Sequence, residues 1–502
     1  MTERQTRSAQ VLFVLLGVFA LAVILAFHNI TEGDLWAKLS LGSSLWHTGH
    51  LPQHDLRAFT PTLPKYIDHE WGSGLVFYAL LQWFGPASLI VLRIALAIGL
   101  LGLAFRAGRR QGCDANILLL LAVPASACIL TGYIPIARSH VFTFFLFAAT
   151  ICCLEEVRLD RAWPAALAPV IMLAWANLHG GFVVGLAIVF IYAAAAIATK
   201  KQTSLMILVA AACATVTFIN PYGLDFWRYL IPALLNPRAR IPEWRPLPLL
   251  AWDDFAGFRI LFILAAVAVA AGWKRVERKN WPGLAVLALT AFMGWRSRRH
   301  GPFLGVAALA YAGPFFQALW RQRFDLLRIT GILYAGIALW VAIRFLPGAS
   351  LVPLSPVGED PVREADILQL AGAKGNAATP FAWGSYVSWR LYPNIKVSMD
   401  GRYEAVYPDS TFDMNNAFYD HKGDWLQLCR EFKVDYVILD LQSDPLRAEQ
   451  VQAAGYDLIW KTDNLSALLC LPEHAGALQK AAHDLPPITE DPLDLRSRGN
   501  RE

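Results

Sequence analysis

The chain has 502 residues, 56% of them hydrophobic and 12% aromatic, with a mean hydropathy of +0.40 and a formal net charge of +5. So apolar a composition excludes an ordinary soluble protein of this length, and so small a charge gives no basic footprint for nucleic acid. Seven cysteines without CxxC or Cys/His ligand spacing exclude the common zinc sites.

The first apolar run, "VLFVLLGVFALAVILAF" (Val11 to Phe27), follows Arg4 and Arg7 and lacks a small-residue cleavage site. It reads as a retained first span with the N-terminus inside. Further apolar runs at 86–107, 115–131, 139–157, 163–177, 181–199, 204–219, 258–273, 281–294, 302–320 and 328–346 predict helices, for about eleven crossings. The connections "RAGRRQGCD", "EEVRLDRAW", "TKKQTS", "WKRVERKN" and "WRQRFDLLR" then face the cytoplasm. All five are short and basic, as the positive-inside rule requires.

The opposite side receives residues 28–85, the Asn220–Gly257 loop and everything after about Phe345. It also receives "GWRSRRHGPF", so Arg296, Arg298 and Arg299 run against the charge bias of the other loops. All eleven histidines fall on this outer side, His28, His47, His50, His54, His69, His140, His179 and His300 close to the membrane. Polar groups held at a membrane surface point to function.

The loop at 28–85 predicts two amphipathic helices, 34–47 and 71–84, lying along the membrane with Trp36, Trp46, Trp71 and Trp83 at headgroup level. Asp34 stands just beyond the first span, Asp55 reads as a turn residue, and Asp68, His69 and Glu70 form an acidic cluster. "WANLHGGF" turns tightly between two spans, so Asn177 and His179 are expected to line a cavity. "YIPIARSH" supplies Arg138 and His140, and the largest inter-span loop supplies Arg228, Glu243, Trp244 and Arg245.

After Phe345 a Pro/Gly-rich linker leads into alternating short strands ("NIKVSMD", "VDYVILD", "LSALLCL") and helices ("DILQLAGA", "DWLQLCREF"). The expected organisation is mostly α: a membrane domain at 1–346 carrying the outer loop 28–85, a linker at 347–362, a small extracytoplasmic α/β domain at 363–475, and a disordered tail at 476–502. Cys429 and Cys470 either pair or remain thiols. No internal repeat is visible.

"GDLWAKLSLGSSLWHTGHLPQHDLRAFT", "DHEW", "WANLHGGF", "INPYG" and "WGSYVSWRLYPNIKVSMDGRYEAVYP" together resemble a bacterial branch of the GT-C superfamily. Those proteins are polytopic glycosyltransferases using polyprenyl-phosphate sugars, and they include protein O-mannosyltransferases and aminoarabinose lipid A transferases. The resemblance spans nearly the whole chain. It implies an inverting transfer from a polyprenyl-phosphate donor to an outer-face glycan, lipid or protein, at a bacterial inner membrane. The family's first-loop carboxylate matches Asp34, which would take the acceptor's proton, with Asp68 and Glu70 as support.

Each assignment has a plainer alternative. Asp34 can cap its helix, Asp68 and Glu70 can be surface charge or an N-cap, and the arginines can reach lipid headgroups without specificity. A divalent ion, Mg or Mn, bridging Asp34, Asp68 and Glu70 suits carboxylates but is not required. Arg296, Arg298, Arg299, Arg138 and His300 are the candidates for the donor phosphate, with His69 and Glu243 as cavity-lining residues. "AWGSYVSWRLY" resembles the Trp-Asp-Tyr-Gly element of oligosaccharyltransferases only faintly, since Gly384 and Ser385 stand where its Asp would be. Asp400 and Arg402 read as an ion pair. A transporter or flippase of lipid-linked sugars, expected to carry charges inside several spans, and a noncatalytic assembly partner are the competing readings.

Overall fold

The computed structural model describes residues 3–134, 138–235, 242–247, 255–276, 279–320, 325–353, 360–442 and 444–485. Parts of the expected linker (354–359), of four inter-span connections and most of the expected tail (486–502) lie outside the described residues. Two compact units form: Met1–His28 with Ile90–Leu351, and Asn29–Leu89 with Val352–Glu502. This grouping differs from the one hydropathy suggests, because residues 29–89 fold with the C-terminal residues.

In chain order the helices are α1 (Glu3–Phe27), α2 (Gly33–Thr48), α3 (Trp71–Phe84), α4 (Ala87–Arg110), α5 (Ala115–Leu130), α6 (His140–Arg158), α7 (Leu167–Leu178), α8 (Phe182–Thr199), α9 (Thr203–Val216), α10 (Leu224–Leu235), α11 (Ala256–Gly272), α12 (Trp281–Arg296), α13 (Gly301–Tyr311), α14 (Gly313–Leu319) and α15 (Leu326–Arg344). A helix occupies every apolar run read from the sequence. Among the described residues α1, α4, α6, α8 and α15 are long and apolar enough to cross a membrane. A sixth span results if the segment Arg298–Leu319, bent by 56° at Ala312, counts as one. The remaining apolar helices are shorter than a full crossing.

Side-chain contacts show that the first unit's helices alternate in direction. Arg93, in the second turn of α4, is fully buried and donates to carbonyls at the end of α1 (Leu25, and His28 at 2.8 Å) and just past α5 (Tyr133 and Ile134, both 3.1 Å). It caps two helix C-termini whose last carbonyls have no helical partner. Phe345, past α15, packs on Phe27 at the same end. At the other end, buried Glu155 of α6 accepts from Gln111 (2.5 Å), Asn280 (2.8 Å), Arg158 (2.8 Å) and Tyr192, and Tyr192 meets Tyr311 at 2.8 Å. Within this unit the loops expected to be basic and cytoplasmic therefore gather at one end, and its loops expected to be outer at the other. Arg93 and Arg259 are buried within the apolar helices; Arg93 is tolerated because helix-end carbonyls satisfy it.

The second unit holds α2 and α3, helices α16 (Val362–Leu370), α17 (Gly384–Leu391), α18 (Asp409–Asp420), α19 (Gln427–Glu431), α20 (Arg447–Ala453) and α21 (Ala475–His483), and one sheet. Its strands are β1 (Gly375–Ala378), β2 (Ile395–Val397), β3 (Tyr436–Asp440), β4 (Asp457–Thr462) and β5 (Ser466–Cys470), in the order β2-β1-β3-β5-β4. The β2-β1-β3 pairings are parallel and the β3-β5-β4 pairings antiparallel. Residues expected as tail from 476 onward begin instead with α21, whose Leu478 and Ala481 are buried. All seven cysteines are free.

The loop 29–89 is built into this sheet. Ala58 bridges Val397 at the edge of β2, with Phe59 N–H donating to the Val397 carbonyl (3.1 Å) and Val397 N–H to that of Arg57 (3.0 Å). Leu41, Tyr66, Met399, Val406 and Tyr407 form a shared core. Glycine lets α2 and α3 touch backbone to backbone, because a Cβ at Gly42 would strike the Gly74 carbonyl. Trp36, expected at headgroup level, is fully buried, and its indole N–H is held by the Asp360 carboxylate at 3.0 Å.

The tie between the two halves is ionic. Arg402 donates to Asp55 at 2.5 Å and to Asp400 at 2.7 Å, with the three side chains at most 8% exposed. Asp55 also accepts from the backbone of Arg57 (3.0 Å) and Ala58 (2.7 Å), so it is a turn residue as expected and a buried ion partner as well. Removing one member of such a buried pair costs about 3–5 kcal/mol. Asp55→Ala should therefore lower the melting temperature of the purified full chain sharply, whereas substituting exposed Asp420, paired with exposed Lys422, should leave it within about 0.5 kcal/mol of wild type.

Candidate functional site

Asp34 lies inside the first turn of α2. Glu32 holds the N-cap position without a side-chain bond, so Asp34 is not the cap residue. A carboxylate in the first turn is stabilised by the helix dipole. Its surroundings are set by the C-terminal part of the same unit. A Cβ at Gly33 would come within 2.8 Å of the Ala382 carbonyl, and one at Gly401 within 3.8 Å of the Asp34 carboxylate and 3.2 Å of Ser385 Oγ. Asp360 fixes the approach to this turn by accepting from Thr31 (3.1 Å) and Trp36 on either side of Asp34.

One turn further along the same face stands Lys38. Its ammonium donates to Asp68 (2.9 and 3.0 Å) and pairs with Glu70 at 2.9 Å. Asp68, 4% exposed, also accepts from Tyr66 hydroxyl (3.1 Å) and Glu70 N–H (2.7 Å), and His69 lies 3.6 Å from Glu70. Burial lowers the Lys38 pKa, but the Asp68 and Glu70 charges outweigh it and hold the ammonium well above its usual range. The cation between these carboxylates is thus the protein's own. Asp68 and Glu70 do not fit a divalent ion without displacing Lys38, and no metal step follows from them. Among the described residues one His/Asp/Glu triplet lies within 4.8 Å, namely Asp435, Glu473 and His474, and Lys433 pairs with both acids there.

In the first unit the arginine-rich turn is structured. Arg299 and Arg138 grip the Glu243 carboxylate from two sides, at 2.9 and 3.0 Å. Arg299 also lies over the Trp244 ring at 5.5 Å, and Trp244 packs edge-on against His300 at 5.6 Å. Arg298 N–H donates to the Arg245 carbonyl (3.2 Å) and its guanidinium faces Phe255 at 5.6 Å, while Arg296 is exposed at the end of α12. Burial works against ionised Glu243, but the Arg299 and Arg138 charges prevail and keep its pKa below the usual range. His179 meets Thr143 Oγ1 at 2.7 Å, and its ring lies 6.5 Å from that of His140. Asn177 donates to the Leu173 (2.9 Å) and Ile219 (3.0 Å) carbonyls, tying the end of α7 to the end of α9.

Arg138, Glu243, Arg299 and His300, scattered in sequence, thus come together, as do Asp68, His69 and Glu70. Lys38 and Asp360 were missed as site-building residues, as was Asp55 as a second partner of the expected Arg402–Asp400 pair. Lys38 had a signal, standing four residues after Asp34 on a helix and so on the same face.

No protein-family profile matches the chain, and no curated protein matches it in sequence. Solved structures do match. The archaeal oligosaccharyltransferase AglB from Archaeoglobus fulgidus, solved with an inhibitory peptide and a dolichol-phosphate, superposes with a TM-score of 0.60 at 11% identity, over 91% of this chain and 73% of its own. An Archaeoglobus fulgidus oligosaccharyltransferase in the apo form gives 0.58 at 12% identity, over 89% of this chain and 71% of its own. ArnT from Cupriavidus metallidurans, solved bound to undecaprenyl phosphate, gives 0.53 at 13% identity, over 93% of this chain and 98% of its own.

The chain shares the fold of these solved membrane proteins. Within that fold the Arg138–Glu243–Arg299 clamp makes a pH-dependent joint. A depressed carboxylate pKa adds stability above the ordinary value of 4.5 that is lost as pH falls through the lower folded value. The Arg298 amide should therefore lose hydrogen-exchange protection below pH 4.5, and in Glu243→Gln it should already be poorly protected at neutral pH.

Proposed function

We propose that the protein is an integral membrane glycosyltransferase that moves a sugar from a polyprenyl-phosphate carrier to an acceptor on the outer face of a bacterial inner membrane. The observation that carries this reading is a GT-C fold spanning 93% of the chain, in which a carboxylate occupies the first turn of the helix after the first span. The ligands of the solved neighbours, dolichol-phosphate and undecaprenyl phosphate, supply the donor class. The alternation of the first unit's helices supports one sidedness for its histidines and arginine turn. With the basic connections in the cytoplasm, the N-terminus is cytoplasmic and the C-terminal domain extracytoplasmic.

In this mechanism Asp34 accepts the proton of the acceptor hydroxyl as its oxygen attacks the anomeric carbon from the face opposite the phosphate. The carbon–oxygen bond to phosphate breaks, its electron pair leaves with the lipid phosphate, and configuration inverts. Asp68 and Glu70 anchor Lys38 beside the base. Arg299 and Arg138, with Arg298, Arg296 and His300 beside Arg299 in sequence, are assigned to the departing phosphate, whose growing charge calls for preorganised cations.

Asp34→Asn should reduce kcat for transfer about 10²–10⁴-fold while melting temperature stays unchanged. Arg299→Ala should raise the donor KM about 10–100-fold, the worth of one charge-assisted contact. Full transfer by Asp34→Asn, followed as product mass in membranes supplied with total polyprenyl-phosphate sugars, would end this assignment.

A further inference from the structure

A cavity of about 40 Å³ opens in the second unit beside α2, its lining beginning at Ala37, three residues past Asp34. Its walls include Ser40 and Ser44 of α2, Arg57, and Ser385, Ser388 and Tyr392 from α17 and its exit. Room for a few water molecules, at roughly 10–15 Å³ each, is also room for a carboxylate or a phosphate oxygen face.

The charge balance selects the occupant. Asp55 and Asp400, which also line it, are engaged by Arg402 and by backbone N–H groups. Arg57 has no carboxylate within ion-pair distance among the described residues. Its guanidinium stacks on the Tyr392 ring at 4.3 Å and donates only to the Ser40 carbonyl (3.1 Å) and Ser388 hydroxyl (3.4 Å). Ser40 Oγ, on a residue 5% exposed, is buried in the same wall without a hydrogen-bond partner. A half-buried guanidinium with spare donors beside an orphaned hydroxyl is the chemistry that recognises an oxyanion.

We infer that this cavity seats an anionic group of the acceptor, a carboxylate or phosphate carried on the molecule that receives the sugar. The inference rests on the proposed transfer reaction, because it identifies the ligand as the acceptor from the nearness of Asp34. At Gly401, between cavity residues Asp400 and Arg402, an added Cβ would lie 3.8 Å from the Asp34 carboxylate. Asp34 and Ser40 are six residues apart on α2, about 9 Å along its axis. An acidic acceptor held at Arg57 is thereby positioned to offer a hydroxyl to Asp34.

The test is calorimetric titration of the full chain in detergent, without donor, using glucuronate, inorganic phosphate and glucose as probes. Glucuronate should saturate, compete with phosphate, and weaken at least 10-fold in Arg57→Gln and several-fold in Ser40→Ala; glucose should not bind. Saturation by phosphate alone would assign the cavity to the free anion and overturn the acceptor claim. Glucuronate binding that is absent, or unchanged in both variants, would overturn the site itself. Should Arg57→Gln fail to fold, Ser40→Val narrows the cavity without changing its charge and carries the same test. Asp34→Asn should keep glucuronate binding, so a failure of the transfer chemistry is separable from a failure of this site.

Discussion

Arg402 is the residue on which the second unit's geometry turns. Its guanidinium joins Asp55 of the first loop to Asp400 of the C-terminal part, in surroundings dry enough that each charge needs its partners. Burial disfavours the cation, yet Asp400 and Asp55 raise its pKa well above the ordinary range, so it stays charged at any physiological pH. Through that one contact the loop's edge pairing with β2, the shared core around Tyr66 and Met399, and the seat of Gly401 against Asp34 become mutually dependent. A catalytic assignment for Asp34 is therefore also a statement about residues near position 400.

The first unit solves a different problem. Its helices must satisfy their ends within an apolar bundle, and they use buried charge to do so. Arg93 takes carbonyls from two helix C-termini at one end. Glu155 gathers an arginine, two amides and a tyrosine at the other. Both are costly groups to bury, and both are nearly saturated with partners. Such groups fix which helix ends meet, so the alternation does not depend on apolar contact alone.

Much of the fold was legible in the sequence, because apolar runs and basic connections are local signals. Every expected span is a helix, α2 and α3 fall where their amphipathic stretches predict, and β2, β3 and β5 lie within the segments read as strands. Short β1 and polar β4 lacked a clear pattern, and the length test credits fewer full crossings than the run count. What periodicity could not reveal are pairings across hundreds of residues: Arg402 with Asp55 over 347 positions, and Trp36 with Asp360 over 324. Trp36 looked like a headgroup anchor since its partner was invisible. The arginine turn was found for the opposite reason, as a violation of a rule that the rest of the chain obeys.

The acidic cluster shows how far composition alone can mislead about chemistry. Three carboxylates in one loop suggest a divalent ion, since hard cations choose oxygen ligands. The fold instead inserts Lys38 from the same helix face as Asp34, at hydrogen-bonding distance from two of them. An ammonium there neutralises Asp68 and Glu70, one helical turn beyond Asp34. The acids that surround Lys38 thus hold a cation in place, and under the proposed reaction the acid one turn earlier is the one that takes the proton.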